Sequence, residues 1–197
     1  MSDGTESGGG EGSESADDSE SAVADRGRAD RVAVTGTPGT GKTTATALLE
    51  DAYDVTHLND RVKSDDDLWT ERDDDRDTLV VDLDAVRETL DDWTGVLESH
   101  LAHRFNADRV VVLRCHPETI ESRLIERGES PETAAENAES EALDVILSEA
   151  VAEHGAENVY EVDTTDRDPE AVADAIRAAV EGEREPSAGT VDFIDYI

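Results

Sequence analysis

Gly36-Thr37-Pro38-Gly39-Thr40-Gly41-Lys42-Thr43-Thr44 comes directly after the apolar run Arg31-Val32-Ala33-Val34-Thr35. A glycine, four residues, then Gly-Lys-Thr between a strand and a helix is the phosphate-binding-loop pattern, and it constrains this chain more than any other stretch. Glycines let the backbone wrap close to a polyphosphate, and successive N–H groups converge on its oxygens. The helix that starts near Lys42 adds the positive end of its dipole. Lys42 is then placed to reach the β- and γ-phosphates, and the Thr43 hydroxyl to ligate the Mg2+ that bridges them.

The rest of the chain supplies the scaffold such a loop needs. From Arg31 onward, short apolar runs alternate with amphipathic stretches, which predicts an α/β fold: a parallel sheet covered by helices on both faces. Residues 43–51 read as helix, 55–58 as a second strand, and 64–77, almost devoid of core residues, as an insertion outside the core. Residues 79–81 suit a short strand and 83–92 a helix, and 94–100 suit a strand that ends on a carboxylate. Arg109–Arg114 is a buried strand, and Pro117 opens a helix that stops at Gly128. Pro131 reopens one long helix to about His154; residues 158–163 form the fifth strand, and Asp168-Pro169 starts the last helix.

This pattern divides the chain into three segments. Residues 1–29, rich in Ser, Gly, Glu and Asp, read as a disordered acidic tail, 30–182 as the catalytic domain, and 183–197 as a C-terminal tail. Residues 183–190 are linker-like, whereas 191–197 are apolar enough to dock back on the domain or to meet a partner.

Charge narrows the setting. There are 51 acidic residues against 17 basic, a formal net charge of −34, and only two lysines, Lys42 and Lys63. Such a surface repels itself, and salt relieves it over a Debye length of about 3 Å at 1 M. We therefore expect a protein of a molar-salt cytoplasm, as in halophilic archaea. The same balance argues against direct nonspecific nucleic-acid binding through a basic surface. No run of about eighteen apolar residues occurs and the N-terminus has neither a basic nor an apolar region, so a cytoplasmic protein without membrane insertion is expected. The single cysteine, Cys115, ends an apolar run and reads as a buried thiol.

Several residues stand where chemistry can be built around the loop. Glu98, at the C-terminal end of its strand, is where such proteins hold magnesium, directly or through water. His100, two residues on, would face the same way if the strand continues. Two readings of His100 stand: it polarises the acceptor or a water, or it is a hydrogen-bonded histidine beside the site. His100 and His103 have a spacing compatible with a metal, but no further ligand cluster accompanies them, so zinc is not expected. Arg123 and Arg127 project from one helix face, and guanidinium groups stabilise the charge on a transferred phosphoryl. Arg127 precedes Gly128-Glu129-Ser130-Pro131, a turn suited to a lid hinge. Asn59, Asp60, Arg61 and Lys63 come after the second strand, where a phosphate acceptor can be gripped, and the loop Asp163-Thr164-Thr165 is placed to meet a nucleotide base.

In this order the pieces resemble the atypical adenylate kinases called adenylate kinase isoenzyme 6, or CINAP. The matching residues are the loop Gly36 to Thr44, then His57-Leu58-Asn59-Asp60-Arg61-Val62-Lys63, then Glu98-Ser99-His100. They continue with Val112-Leu113-Arg114-Cys115, Arg123-Leu124-Ile125-Glu126-Arg127-Gly128, and Glu136-Asn137 with Glu139 and Glu141 downstream. The resemblance implies a P-loop NTPase of the nucleoside-monophosphate-kinase type, with a five-stranded parallel sheet. It places a monophosphate-binding segment near 57–82 and a short lid near 127–137. By position, Gly39, Gly41, Lys42, Thr43 and Thr44 would bind ATP, with Arg127 as the lid arginine on the phosphates. Glu98 and His100 would match an acidic-x-His element, Thr43 and Glu98 would hold Mg2+, and Asn59 and Lys63 would meet the acceptor. Where the family often carries arginine, this chain has Lys63, a point charge in place of a bidentate fork.

The implied activity is broad phosphorylation of nucleoside monophosphates, AMP favoured, with ATP hydrolysis beside it. The resemblance also implies a part in maturation of small-subunit ribosomal RNA, with the ribosomal protein uS11 and the small-subunit precursor as partners. Two main readings result: a kinase, or a nucleotide-gated ribosome-assembly ATPase with negligible kinase activity. A small-metabolite kinase of the shikimate or nucleoside type is a third.

Overall fold

The computed structural model describes residues 26–73 and 78–197. Strand β1 (Arg31–Thr35) runs into the glycine loop and then α1 (Lys42–Ala47), followed by β2 (Val55–His57) and α2 (Leu58–Ser64). Next come β3 (Trp69–Asp73), β4 (Thr78–Val81), α3 (Leu83–Thr89), β5 (Gly95–Glu98) and β6 (Arg109–Arg114). Helices α4 (Pro117–Glu126), α5 (Pro131–Ala142) and α6 (Val145–His154) lead to β7 (Val159–Asp163), and α7 (Pro169–Glu181) closes the body.

The main sheet has five strands in the order β2-β5-β1-β6-β7, all parallel. β1 lies in the middle because its apolar residues serve two faces at once. Val32 and Val34 join Leu49, Val111, Leu113 and Ile176 in one buried cluster. Ala33 joins Leu58, Leu97, Val110, Val112 and Leu147 in another. Alternation along the strand thus sends successive side chains to opposite layers of helices. At roughly 1.5–3 kcal/mol for each fully buried Val or Leu, these two layers are what hold the central strands together. In the register, Val34 stands beside Glu98 on β5, and His57 on β2 stands beside the same glutamate. All three lie at the strand ends where the glycine loop emerges.

Several expectations need correcting. The stretch 64–77 is tied to the core, because Leu68 is 2% exposed and belongs to the buried cluster that contains Leu58, Val86 and Leu97. Beyond Leu68 the chain forms an antiparallel hairpin of β3 and β4 outside the main sheet; residues 74–77 lie outside the described residues. β5 stops at Glu98, so Ser99 and His100 belong to the turn after it and the strand does not carry His100 onward. The single long helix from Pro131 is two: α5 and α6 are separated at Asp144, whose φ of 55° is left-handed. Its carboxylate turns to the buried Arg114 guanidinium, a tertiary contact that a straight helix does not offer.

Of the tail expected at 1–29, residues 1–25 lie outside the described residues. The last part packs on the body: Ala29 is buried and its N–H donates to the Val180 carbonyl, and Arg109 donates to the carbonyls of Arg26 and Gly27. Residues 183–190 run along β7, with Arg184 and Ser187 donating to the Glu161 carbonyl and the Thr190 N–H to the Glu161 carboxylate. The apolar end docks, its Phe193 and Tyr196 rings packing edge-on against His116. Among the described residues no helix is long and apolar enough to cross a membrane.

Candidate active site

The glycine loop is shaped by what surrounds it. Gly36 has φ 141°, and a Cβ there would lie 2.4 Å from the Leu113 carbonyl oxygen on β6, so only glycine lets the loop leave β1 at that point. Lys42, at the start of α1, is 8% exposed, and its ammonium donates to the carbonyls of Gly36 at 2.7 Å and Thr37 at 3.1 Å. Burial pushes its pKa down to about 8, against the pull of the Glu98 and Glu141 carboxylates, and Arg127 lowers it further. A polyphosphate held at the loop returns to this ammonium the counter-charge that burial takes away. The first N–H groups of α1 have no intrahelical acceptor and are the natural donors to the same anion.

Beside the lysine, Thr43 Oγ1 donates to Glu98 Oε2 at 3.3 Å. Glu98 is 3% exposed whereas Thr43 is exposed, so a buried carboxylate meets a hydroxyl at the solvent edge of the loop. Two hard oxygens at that spacing suit neighbouring positions on a small divalent cation such as Mg2+. His57 Nδ1 lies 2.8 Å from the same Glu98 oxygen, and its Nε2 lies 3.1 Å from Glu50. Burial opposes protonation of His57, but the hydrogen bonds to Glu98 and Glu50 outweigh it and raise its pKa. The imidazole therefore helps to fix the carboxylate oxygen that Thr43 also meets.

His100 lies close enough to Lys42 to feel its charge: burial first, then Lys42 and His103, push its pKa down to about 4. It is a neutral imidazole at pH 7. His103 has a different job. Its Nδ1 meets Thr35 Oγ1 at 3.0 Å and its Nε2 meets Glu149 at 2.9 Å, which makes it a hydrogen-bonded core histidine between β1 and α6. Asn59 Oδ1 accepts from Ser99 Oγ at 3.2 Å, tying α2 to the turn after Glu98. Lys63, four residues further along α2, is exposed.

On the other side of the loop, Arg123 donates to the Gly39 carbonyl at 3.0 Å. With Arg127 and Arg167 it lines a cleft beside Gly39, Gly41 and Thr44. The loop after β7 joins this wall through Thr164 Oγ1, which reaches the carbonyls of Thr40 at 3.0 Å and Arg114 at 2.8 Å. Residues 127–130 form a tight turn between α4 and α5, which pack together over Cys115, Ile120, Leu124 and Ala134. Ser130 caps α5 by accepting from the Thr133 N–H.

The structure thus gathers Lys42, Thr43, Glu98 and His100 on one flank of the loop and Arg123 and Arg127 on the other. It leaves Lys63 exposed on α2 and gives His103 to the core. Sequence reasoning gave no separate role to His57, to Arg167 or to Glu141, whose carboxylate takes the Thr37 hydroxyl. The one signal for Arg167 is its position just after the Asp163-Thr164-Thr165 loop.

Residues 32–144 match the family described as AAA domain. A Natronomonas pharaonis protein named "Putative adenylate kinase" is 61% identical over 170 residues, which span 85% of this chain and 99% of that relative. A Halobacterium salinarum protein of the same name is 63% identical over 169 residues, with the same coverage of 85% and 99%. The chain belongs to this family. Its membership reaches beyond the halophilic archaea, since a Methanocaldococcus jannaschii protein of the same name is 39% identical over 181 residues, 85% of this chain and 97% of that one. A solved sulfotransferase from Alicyclobacillus acidocaldarius is similar in fold alone, with a TM-score of 0.50 and 14% identity over 84% of this chain and 87% of that structure. The glycine loop, residues 36–44, and Glu98 both fall inside the matched segment.

Proposed function

We propose that this protein is a nucleoside monophosphate kinase. It moves the γ-phosphoryl group of ATP to AMP or a related monophosphate, giving ADP and the acceptor's diphosphate, and hydrolyses ATP when water replaces the acceptor. The observation that carries this is the meeting of the Thr43 hydroxyl and the buried Glu98 carboxylate at 3.3 Å, beside the buried Lys42 ammonium. An oxygen of the acceptor phosphate attacks the γ-phosphorus while the bond to the β–γ bridging oxygen breaks. Lys42 and Arg127 take up the charge that spreads over the transferred group. Thr43 and Glu98 would hold Mg2+, which would supply Lewis-acid neutralisation of the phosphate oxygens. Neutral His100 offers an acceptor for a proton on the attacking group or on an ordered water.

In this reading residues 57–82 take the monophosphate, with Asn59 and Lys63 toward its phosphate, and 127–137 act as the lid. A turn of a few residues is a small cover, so water competes with AMP and ATP hydrolysis accompanies transfer. The domain comprises residues 30–182 with the flanking 26–29 and 183–197 packed on it, in a cytoplasm of high salt.

A coupled assay in molar KCl tests this. We expect ADP from ATP plus AMP, and a fall of about a hundredfold or more in kcat/KM for Lys42→Ala and Arg127→Ala. ATP hydrolysis that is indifferent to AMP, with no ADP made from AMP, contradicts it. A second reading is favoured by the net charge of −34, which complements a basic protein. In it, ATP switches the grip on uS11 during small-subunit maturation, and recovery of uS11 on the immobilised protein must then change with ATP.

A further inference from the structure

Glu141 is a carboxylate that joins two parts of the molecule. It sits near the end of α5, 3% exposed, and divides its oxygens between two elements. Oε1 accepts from Arg114 Nε at 2.7 Å and from the Cys115 N–H at 3.2 Å. Oε2 accepts from Thr37 Oγ1 at 2.5 Å. Thr37 is itself 2% exposed, and its carbonyl takes Lys42 Nζ, the Thr40 N–H and the Thr40 hydroxyl. The residue whose carbonyl holds the loop lysine is therefore pinned through its side chain by a buried acid on the returning helix of the lid hairpin.

A core ion pair alone does not account for this. Arg114, 1% exposed, is already shared with Asp144 and with Glu161, which is also 1% exposed. Burying one more carboxylate is unfavourable unless it gains further partners. Those partners are the hydroxyl of Thr37 and the Cys115 N–H. Because Glu141 and Arg127 lie at opposite ends of the same α4–α5 hairpin, one contact fixes the loop relative to the arm that carries the lid arginine.

We propose that Glu141 is a positioning residue for the phosphate loop: acting through Thr37, it sets the loop's grip on the polyphosphate of ATP. This rests on the loop being the ATP site.

The test uses the full chain in molar KCl, with MgATP affinity by calorimetry and separate KM values for ATP and AMP. Thr37→Val keeps the volume and removes the hydroxyl, Thr37→Ser restores it, and Glu141→Gln removes the charge. A hydrogen bond to a charged acceptor corresponds to about tenfold or more in affinity. We expect Thr37→Val to weaken MgATP by about that factor, with KM for AMP unchanged. Thr37→Ser should return to within about twofold of wild type, and Thr37→Val should add little in a Glu141→Gln background. Should Thr37→Val melt below the assay temperature, Glu141→Asp, which keeps the charge but withdraws it by one methylene, must show the same ATP-specific loss. MgATP affinity unaffected by loss of the hydroxyl, or a loss that Thr37→Ser shares, overturns the proposal while leaving the loop as the ATP site. Wild-type protein that fails to bind MgATP overturns both.

Discussion

Lys42, Thr43 and Glu98 are legible in the sequence because the loop's chemistry is written in consecutive residues and the carboxylate ends a recognisable strand. Glu141 and His57 are not. Their partners lie 104 and 41 residues away, and among 51 acidic residues nothing local marks which carboxylate is buried and which is solvated. His100 offers a measurable consequence of burial. Its pKa falls from the ordinary 6.5 to about 4 on folding, so the unfolded chain takes up this proton first as pH drops. Its contribution to stability is complete above the unfolded value and is lost as pH falls toward the folded one. Thermal melts in molar KCl at pH 7 and pH 4.5 should therefore show wild type losing more of its midpoint than His100→Gln. Parallel losses would remove His100 as the cause. At Gly36, a Cβ would meet the Leu113 carbonyl at 2.4 Å, so Gly36→Ala should cost stability as well as nucleotide binding.

At the scale of elements, the strands are readable from apolar runs of the right length, since a parallel strand buried on both faces has little else in it. The split between α5 and α6 is hidden, because Ala138, Ala142, Val145 and Ile146 keep a helical spacing straight through the break. What breaks the helix is Arg114, a residue on another element, drawing Asp144 into a left-handed turn. Similarly, a run of acidic residues around Leu68 has the composition of a solvated insertion, yet that one leucine is 2% exposed and anchors the segment to the core. Leu68→Ala should destabilise the fold by about 2–5 kcal/mol, measured by urea unfolding in molar KCl. A change within ~0.5 kcal/mol would mean that the segment is tied down elsewhere.

For the whole molecule, the net charge of −34 makes salt part of the fold's stability. The midpoint of thermal unfolding should rise from dilute to molar KCl, and a flat response would contradict the reading of the surface. Charge also shapes how the cleft works. In so acidic a chain, three arginines beside one glycine loop make a local site for anions on a surface that otherwise repels them. On the function proposed above, the loop, Glu98 and the arginine wall would form the donor half of a two-nucleotide site, and the segment after β2 the acceptor half. The most direct measurement is to supply radiolabelled AMP with unlabelled MgATP in molar KCl and to track the label. Label should move from AMP into ADP, and Lys42→Ala should abolish this. Label that stays in AMP while ATP is turned over would contradict it.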